Sequence, residues 1–207
     1  MSKLEEYEKK RDLRKTPEPR GASGRFDWAD KRPIFVIQEH DASSHHYDFR
    51  LEVEGVLKSW SVPKGPATDP DQKRLAVPTE DHPLDYADFE GIIPEGEYGA
   101  GTVIVWDRGS YENLKAGNAQ ENGKPASVAE QIADGHVTVR LEGRKISGGY
   151  ALIRTGSGDD LRWLLVKMDD KEADARRNPT STEPESVKTG RTLAEVRKEA
   201  QERDDDD

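Results

Sequence analysis

Residues 47 to 53 alternate strictly between apolar and polar side chains, and this alternation constrains the fold more than any other feature of the chain. Tyr47, Phe49, Leu51 and Val53 are apolar, whereas the three positions between them carry Asp, Arg and Glu. Successive side chains of a β-strand point to opposite faces. The pattern therefore predicts a strand with one apolar face and one polar face.

A second polar row precedes this strand. The segment 33–40 is predicted to be a strand in which Gln38 and His40 share one face, and residues 41–45 would fold it against the next strand. His40 would then meet His46 and Asp48, and imidazole and carboxylate ligands suit Mn, Fe or Zn. Arg50, on the same face, could bind a phosphate through its planar fork. A solvated face of ordinary polar residues is the alternative interpretation.

About eight strands with few helices are predicted along the chain, which indicates a β-barrel or a β-sandwich. Glu54 and Gly55 form a predicted tight turn between the second and third strands. Further along, a buried run at 102–106 is predicted to turn at Gly109 into a short strand at 110–112. All-β architecture is therefore expected.

Few helices are predicted. One spans residues 2–15 and ends before Pro17, since the residue before a proline disfavours the helical conformation. Ser127 and Glu130 have capping-box spacing and open a minor helix. Thr192 and Glu195 have the same spacing near the C-terminus.

The charge distribution suggests three parts. Charged residues make up 36% of the chain and hydrophobic residues only 32%, so some segment is expected to be solvated. Residues 169–207 contain 13 acidic and 8 basic side chains. Their net charge of −5 is half of the formal net charge of −10 of the whole chain. We predict an N-terminal helix and exit loop at 1–20, a barrel at 21–168, and a largely disordered acidic tail with a short helix at 169–207.

Composition excludes several classes of protein. The chain has no cysteine, so it has no disulfide framework, zinc ribbon or thiol nucleophile. No apolar run approaches the ~18 residues of a membrane span, and we expect a soluble, monomeric, cytoplasmic protein with no membrane partner. The acidic balance argues against bulk, non-specific DNA binding but not against a local phosphate site.

Several ordered blocks of the sequence resemble the 3′-phosphoesterase domain of bacterial DNA ligase D. The resemblance runs from about residue 11 to residue 168. We expect a stand-alone version, because 207 residues leave no room for a polymerase or ligase module and the Lys-x-Asp-Gly motif of nucleotidyl-transfer ligases is absent. The blocks are HDAS (40–43), HYDFRL (46–51), WSVPKGP (60–66), EDHPLDY (80–86), FEG (89–91), IPEGEYG (93–99) and WLLVK (163–167).

This resemblance implies a compact β-barrel of about eight mostly antiparallel strands, with a short N-terminal helix and one or two minor helices. It also implies a Mn²⁺-dependent enzyme that removes a 3′-terminal ribonucleotide as a phosphodiesterase. The enzyme then removes the 3′-phosphate as a phosphomonoesterase, which leaves a 3′-OH for repair. The implied partners are DNA or RNA/DNA 3′ ends at the nucleoid and a DNA ligase, polymerase or Ku-type end-joining protein.

The resemblance also assigns roles to residues. It implies that His40, His46 and Asp48 hold the metal, and that Arg50 and His82 bind the phosphate, with His82 able to carry a proton near neutral pH. Its N-terminal site residues, Arg11, Asp12 and Glu18, are expected to fold over the site and to matter most for the diester step. The other implied site residues are Tyr86, Arg11, Asp12 and Glu18, the supporting Gln38 and Glu80, and Lys64 and Arg74 with less defined roles.

Two other interpretations stay open. A non-haem Fe(II) oxygenase would use His46 and Asp48 with His82 or His136 as the distal ligand. A non-catalytic module that binds DNA ends would keep the fold without turnover. In the main interpretation, His136 and His45 are structural.

Overall fold

The computed structural model describes residues 3–21, 26, 27, 29, 31–116, 126–156 and 158–205. The strands are β1 (Ile34–Asp41), β2 (His45–Val53), β3 (Val56–Val62), β4 (Lys73–Pro78), β5 (Gly91–Ile93), β6 (Gly101–Asn113), β7 (His136–Gly143), β8 (Ser147–Arg154) and β9 (Trp163–Lys167). Eight of them are antiparallel neighbours in the order β1-β2-β3-β4-β9-β8-β7-β6, and β6 also pairs with β1, which closes a barrel. The short β5 adds to one edge of β6. The predicted barrel of about eight antiparallel strands is therefore confirmed.

The helices are short apart from the last. They are α1 (Glu5–Lys9), α2 (Val128–Asp134), α3 (Pro179–Thr182) and α4 (Leu193–Asp205), with 3₁₀ turns at Leu84–Asp88 and Gly158–Asp160. The predicted capping box of α2 is present, because Ser127 accepts from the Glu130 amide and the Glu130 side chain accepts from the Ser127 amide. In the described part of the chain, no helix is both long enough and apolar enough to cross a membrane.

The N-terminal helix is shorter than the prediction of residues 2–15. α1 has five residues, and residue 2 lies outside the described part. Tyr7 is its buried residue. The chain leaves the helix at Lys10 because the segment that follows directs two polar side chains, Arg11 and Glu18, against the barrel.

Two apolar clusters divide the molecule. The first draws side chains from all eight barrel strands, including Phe35, Phe49 and Trp60, and fills the interior. The second lies outside the wall, where Val36 and Leu57 meet Tyr86 and other residues of the N-terminal segment, the first 3₁₀ turn and β5. This second cluster covers the outer face of β1, β2 and β3, so polar residues on that face are shielded from solvent.

The two predicted turns have different outcomes. Glu54 and Gly55 have φ angles of 51° and 83° and form the turn between β2 and β3 as expected. The turn at Gly109 is wrong, because this residue lies inside β6 and pairs with both β1 and β7. A Cβ there would lie 2.0 Å from the Glu142 carbonyl oxygen, so glycine serves a close approach of two strands.

The segment that the sequence predicts to be a largely disordered tail contacts the barrel at several points between residues 170 and 197. The Glu183 carbonyl accepts from Trp106 Nε1 at 2.8 Å and from Lys145 Nζ at 2.7 Å. In α4, Val196 is buried and Arg197 pairs with Asp41 at the end of β1. The division of the chain at residues 20 and 168 stays a prediction.

Asp107 of β6 ties down the connection between β7 and β8, and its replacement by Asn is expected to destabilise the fold. The buried carboxylate accepts from the amides of Arg144 (3.0 Å), Lys145 (3.2 Å) and Ile146 (2.8 Å). Asn would turn an NH₂ group towards one of these amides, with an expected loss of about 1–3 kcal/mol in the free energy of unfolding. Urea titration above pH 7 measures this loss. The control is Asp174→Asn: the half-buried Asp174 also accepts from a backbone amide, and its replacement should cost less. Equal losses would contradict the argument.

Candidate active site

The polar rows of β1 and β2 meet on the outer face of the barrel, the face that the second apolar cluster covers. Antiparallel pairing sets His40 opposite His46 and Gln38 opposite Asp48. The connection is only residues 42–44, shorter than the predicted 41–45, because Asp41 and His45 continue the ladder. The two imidazole centroids are 4.8 Å apart. The alternation in sequence therefore leads directly to a cluster of ligand groups.

His40, His46 and Asp48 can hold a metal ion. One ligand atom of each lies within 4.8 Å of the others. Asp48 Oδ2 is 3.6 Å from His40 Nδ1 and 3.7 Å from His46 Nε2. The opposite ring nitrogens lie 2.9 Å from the Gly99 carbonyl and 2.8 Å from the Ser44 carbonyl. A carbonyl only accepts, so those nitrogens carry the hydrogens and the nitrogens facing Asp48 keep their lone pairs.

Charge in the cluster favours an ionised carboxylate. Burial acts to raise the pKa of Asp48, but the charge of Arg50 and the adjacent imidazoles of His40 and His46 outweigh it and hold the pKa well below its ordinary value. Burial acts to lower the pKa of His46, yet the Asp48 carboxylate, 3.7 Å from Nε2, raises the pKa overall. Two imidazoles, each able to offer a nitrogen lone pair, and a carboxylate form a donor set that fits Mn, Fe or Zn.

Arg50 is fixed next to this cluster by neighbours on three sides. Its Nε donates to Gln38 Oε1 at 2.9 Å, one terminal nitrogen donates to Ser59 Oγ at 2.8 Å, and the other lies 3.2 Å from Asp48. Gln38 in turn donates to the carbonyls of Tyr86 and Phe89. Gln38 therefore orients the arginine and is not in hydrogen-bond contact with a histidine of the cluster. Ser59 was missed in the sequence, although its parity on β3 places it on this face.

His82 lies between two guanidinium groups. Its Nδ1 is 2.9 Å from Arg50 and its Nε2 is 3.3 Å from Arg11. Burial, followed by the charges of Arg50 and Arg11, lowers the pKa of His82 well below its ordinary value. The sequence predicts a histidine that can be protonated near neutral pH, whereas this environment favours the neutral ring.

The N-terminal segment completes the wall. Arg11 Nε donates to Glu18 Oε1 at 2.8 Å, and a terminal nitrogen of Arg11 donates to Glu80 Oε1 at 2.9 Å. The Tyr86 hydroxyl donates to the same Glu18 oxygen at 2.9 Å. Arg11, Glu18 and Glu80 therefore form a buried ion-pair chain that ends at His82, consistent with the expectation that the N-terminus folds over the site.

Other candidate residues lie apart from this chain of contacts. Asp12 pairs with Arg14 at the surface. Lys64 is exposed, and a terminal nitrogen of Arg74 donates to Gln72. His45 contacts Glu39 on the opposite face of β2, 2.8 Å away.

Neither of the histidines predicted as the distal ligand of an oxygenase, His82 or His136, joins His46 and Asp48 in the cluster. His136 is an exposed residue at the start of β7 and is not part of the cluster. His82 directs its ring nitrogens at Arg50 and Arg11, whereas His40 supplies the third ligand group. The roles of all these residues stay predictions.

The groups surround a single cavity of about 290 Å³. Its wall contains the three potential metal ligands His40, His46 and Asp48, called the metal cluster below. The wall also contains Arg11, Arg50, Glu80, His82 and Tyr86. Residues that sequence reasoning left without a role also line it. They are Ala42, Ser43, Ser61, Thr79, Ile93, Tyr98 and Gly99.

The metal-free protein is expected to lose stability as the pH falls below about 6.5, and His82→Gln should flatten this dependence. The folded-state pKa of His82 is lowered, so its contribution is present above the unfolded pKa and is lost as the unfolded chain takes up the proton. The slope reaches about 1.4 kcal/mol per pH unit. Urea titrations of both proteins in a chelator, at about pH 7, 6 and 5, test this. Parallel slopes would show that the folded ring takes up its proton over the same pH range as in the unfolded chain, so that its pKa is not lowered.

Comparison with known proteins gives a consistent picture. The profile of the DNA ligase D 3′-phosphoesterase domain matches residues 38–154, which include the metal cluster, whereas Arg11 and Glu18 precede it. The chain is 50% identical over 193 residues to the multifunctional non-homologous end joining protein LigD of Pseudomonas aeruginosa, covering 92% of the chain and 22% of that protein. It is 46% identical over 172 residues to the multifunctional non-homologous end joining DNA repair protein LigD of Mycobacterium tuberculosis, covering 80% and 20%. The chain thus spans about a fifth of the length of these relatives.

Proposed function

The chain belongs to the family of DNA ligase D 3′-phosphoesterase domains, and from this premise we propose that it heals the 3′ ends of DNA breaks for non-homologous end joining. One observation carries the proposal: a group able to bind a metal adjoins an arginine and a histidine in one cavity. Phosphate chemistry needs both features, since a metal and fixed cations stabilise the negative charge of the transition state.

Two hydrolyses would occur in sequence. In the first, water adds to the phosphorus between the last two nucleosides, and the bond to the 5′-oxygen of the terminal ribonucleoside breaks. The ribonucleoside leaves with a 5′-OH, and the primer keeps a 3′-phosphate. In the second, water adds to that phosphorus and the bond to the primer's 3′-oxygen breaks. Inorganic phosphate leaves, and the primer ends in a 3′-OH.

Mn²⁺ is the proposed metal, held by His40, His46 and Asp48. When bound it would supply Lewis-acid polarisation of a phosphate oxygen and a position for the attacking water. The carbonyls of Gly99 and Ser44 would keep both imidazoles in the tautomer that coordinates.

Arg50 would bind the phosphate next to the metal cluster. Its guanidinium is always charged and is already oriented by Gln38 and Ser59, so little rearrangement is needed on binding. His82 would join it once the substrate's negative charge raises the pKa of the ring again. The protonated ring can then donate to a phosphate oxygen or pass a proton to the departing oxygen, a contribution of ~10²–10⁴-fold in rate.

The proposed substrates are the 3′ ends of DNA or RNA/DNA primer–templates. A DNA ligase, a polymerase or a Ku-type protein would use the healed end. The net charge of −10 makes a specific site, rather than bulk attraction, the basis of recognition.

A gel assay tests the function. A 5′-labelled primer–template with one 3′-terminal ribonucleotide is incubated with the protein and Mn²⁺, with a chelator as the control. We expect conversion to a 3′-phosphate and then to a 3′-OH, with no conversion in the chelator. Binding of the end without any product would instead favour a non-catalytic end-binding module. Turnover only with Fe(II) and 2-oxoglutarate would favour an oxygenase.

A further inference from the structure

Tyr98 is an exposed aromatic ring at the mouth of the cavity. Among the described residues, it is the only aromatic one in the set of exposed large hydrophobic side chains, with 47% of its surface accessible. The other tyrosines near the cavity, Tyr7 and Tyr86, are buried. An aromatic ring left in water forgoes the free energy of burial, so its exposure next to a binding cavity points to a ligand contact.

The loop that carries Tyr98 is tightly held. Its residues form two consecutive turns, with the Glu97 amide donating to Pro94 and the Ala100 amide donating to Glu97. Gly99, the next residue, accepts the hydrogen bond of His40 at 2.9 Å. The backbone that carries Tyr98 is therefore held, one residue away, by a hydrogen bond from His40 of the metal cluster.

Cationic groups of the N-terminal segment lie on the other side of the mouth. The Arg11 guanidinium carbon is 5.3 Å from the Tyr98 ring centroid, and Lys10 Nζ is 3.4 Å from the Tyr98 hydroxyl oxygen. Arg11 also contacts His82 in the proposed phosphate site. One guanidinium thus separates the ring from the position where the phosphate would bind.

We propose that Tyr98 stacks against the base of the nucleoside that carries the 3′-phosphate. The inference rests on the proposed function and adds the means by which the site recognises a nucleotide end. A cavity of about 290 Å³ can hold the phosphate and part of a sugar but not the primer, so the primer must leave through the mouth. The first base outside the cavity then meets the ring. Every base has a π-face, so this contact would be independent of sequence.

Stacking distinguishes a nucleotide end from a bare phosphate ester. The test uses two 3′-phosphate primers on the same template, one with a normal terminal base and one with an abasic terminal sugar. For Tyr98→Ala and Tyr98→Leu, we expect KM for the normal end to rise about 5-fold or more, with a smaller change in kcat. KM for the abasic end should stay within about 2-fold of wild type, and Tyr98→Phe should behave as wild type on both ends.

A fluorescent readout avoids turnover. A terminal 2-aminopurine base is quenched when it stacks, so wild type and Tyr98→Phe in a chelator should quench it on binding, whereas Tyr98→Leu should not. Equal KM changes on normal and abasic ends, or unchanged quenching in Tyr98→Leu, would overturn the stacking proposal while end healing stands. Failure of the wild type to process either end in Mn²⁺ would instead overturn the proposed function.

Discussion

Asp48→Ala is expected to lose both the diesterase and the monoesterase activity by at least about 10³-fold. The buried carboxylate is the only anionic member of the metal cluster, and it faces His40, His46 and Arg50 together. Its removal leaves two neutral imidazoles, which hold a divalent cation weakly. It also takes from Arg50 one of the groups that orient it. Both proposed steps use the same metal and the same arginine, so both should fail together.

Metal binding and activity must be measured on the same samples. Calorimetric titration with Mn²⁺ should show wild-type binding and greatly weakened binding by Asp48→Ala. Asp48→Asn keeps the shape of the side chain without its charge and should bind more weakly than wild type but better than Asp48→Ala. The matched control is Glu52→Gln, on the same face of the same strand, whose side chain accepts from the Ile34 amide and is not part of the metal cluster. It should keep both activities.

The assignment would fail if Asp48→Ala turned over substrate at nearly the wild-type rate with its metal site fully occupied. Loss of activity with wild-type metal affinity would be a different result. It would mean that Asp48 acts only through Arg50, and that another side chain supplies the third ligand.

The metal cluster was predictable because local rules decide it. A period of two places Asp48 and Arg50 on one face, and a short connection brings His40 opposite His46. An all-β fold, either a barrel or a sandwich, was predicted for a similar reason, from the number of short strands and a tight turn at Glu54 and Gly55, and the family resemblance implied the barrel. Gly109 was misinterpreted because a glycine in a turn and a glycine where two strands nearly touch look alike in sequence.

Properties that depend on tertiary contacts were not predictable. The lowered pKa of His82 arises from its burial and from two arginines, Arg50 and Arg11, that are 32 and 71 residues away in the chain. Gln38 has the parity of a residue that supports a metal ligand. Its amide nitrogen instead donates to the carbonyls of Tyr86 and Phe89, which directs its oxygen towards Arg50. Some contacts of the C-terminal segment with the rest of the protein likewise depend on backbone carbonyls, such as that of Glu183, which carry no signal in the sequence.

Arg11→Ala is expected to lower the diesterase activity by at least about 10²-fold and the monoesterase activity by less than about 10-fold. Arg11 lies between the carboxylates of Glu18 and Glu80 and contacts His82. Without it, Glu18 would keep the hydroxyl donors Thr16 and Tyr86 but no cation among its described partners, and Glu80 would keep Lys10. A diester phosphate has one negative charge, whereas a terminal phosphate has about 1.5 to 2 near pH 7 and is held more strongly by the metal and Arg50. The diester is therefore the substrate that depends on Arg11.

Two further variants separate this role from a general loss of structure. Arg14→Ala removes an arginine of the same segment whose side chain is 83% exposed, and it should leave both steps unchanged. Arg11→Lys keeps the charge but not the planar fork that spans Glu18 and Glu80, so its diesterase activity should be intermediate. Both steps can be followed on one primer–template by the accumulation of the 3′-phosphate. An equal loss in the two steps, with metal binding intact, would mean that Arg11 supports the common phosphate site. The N-terminal segment would then have no separate part in holding the diester.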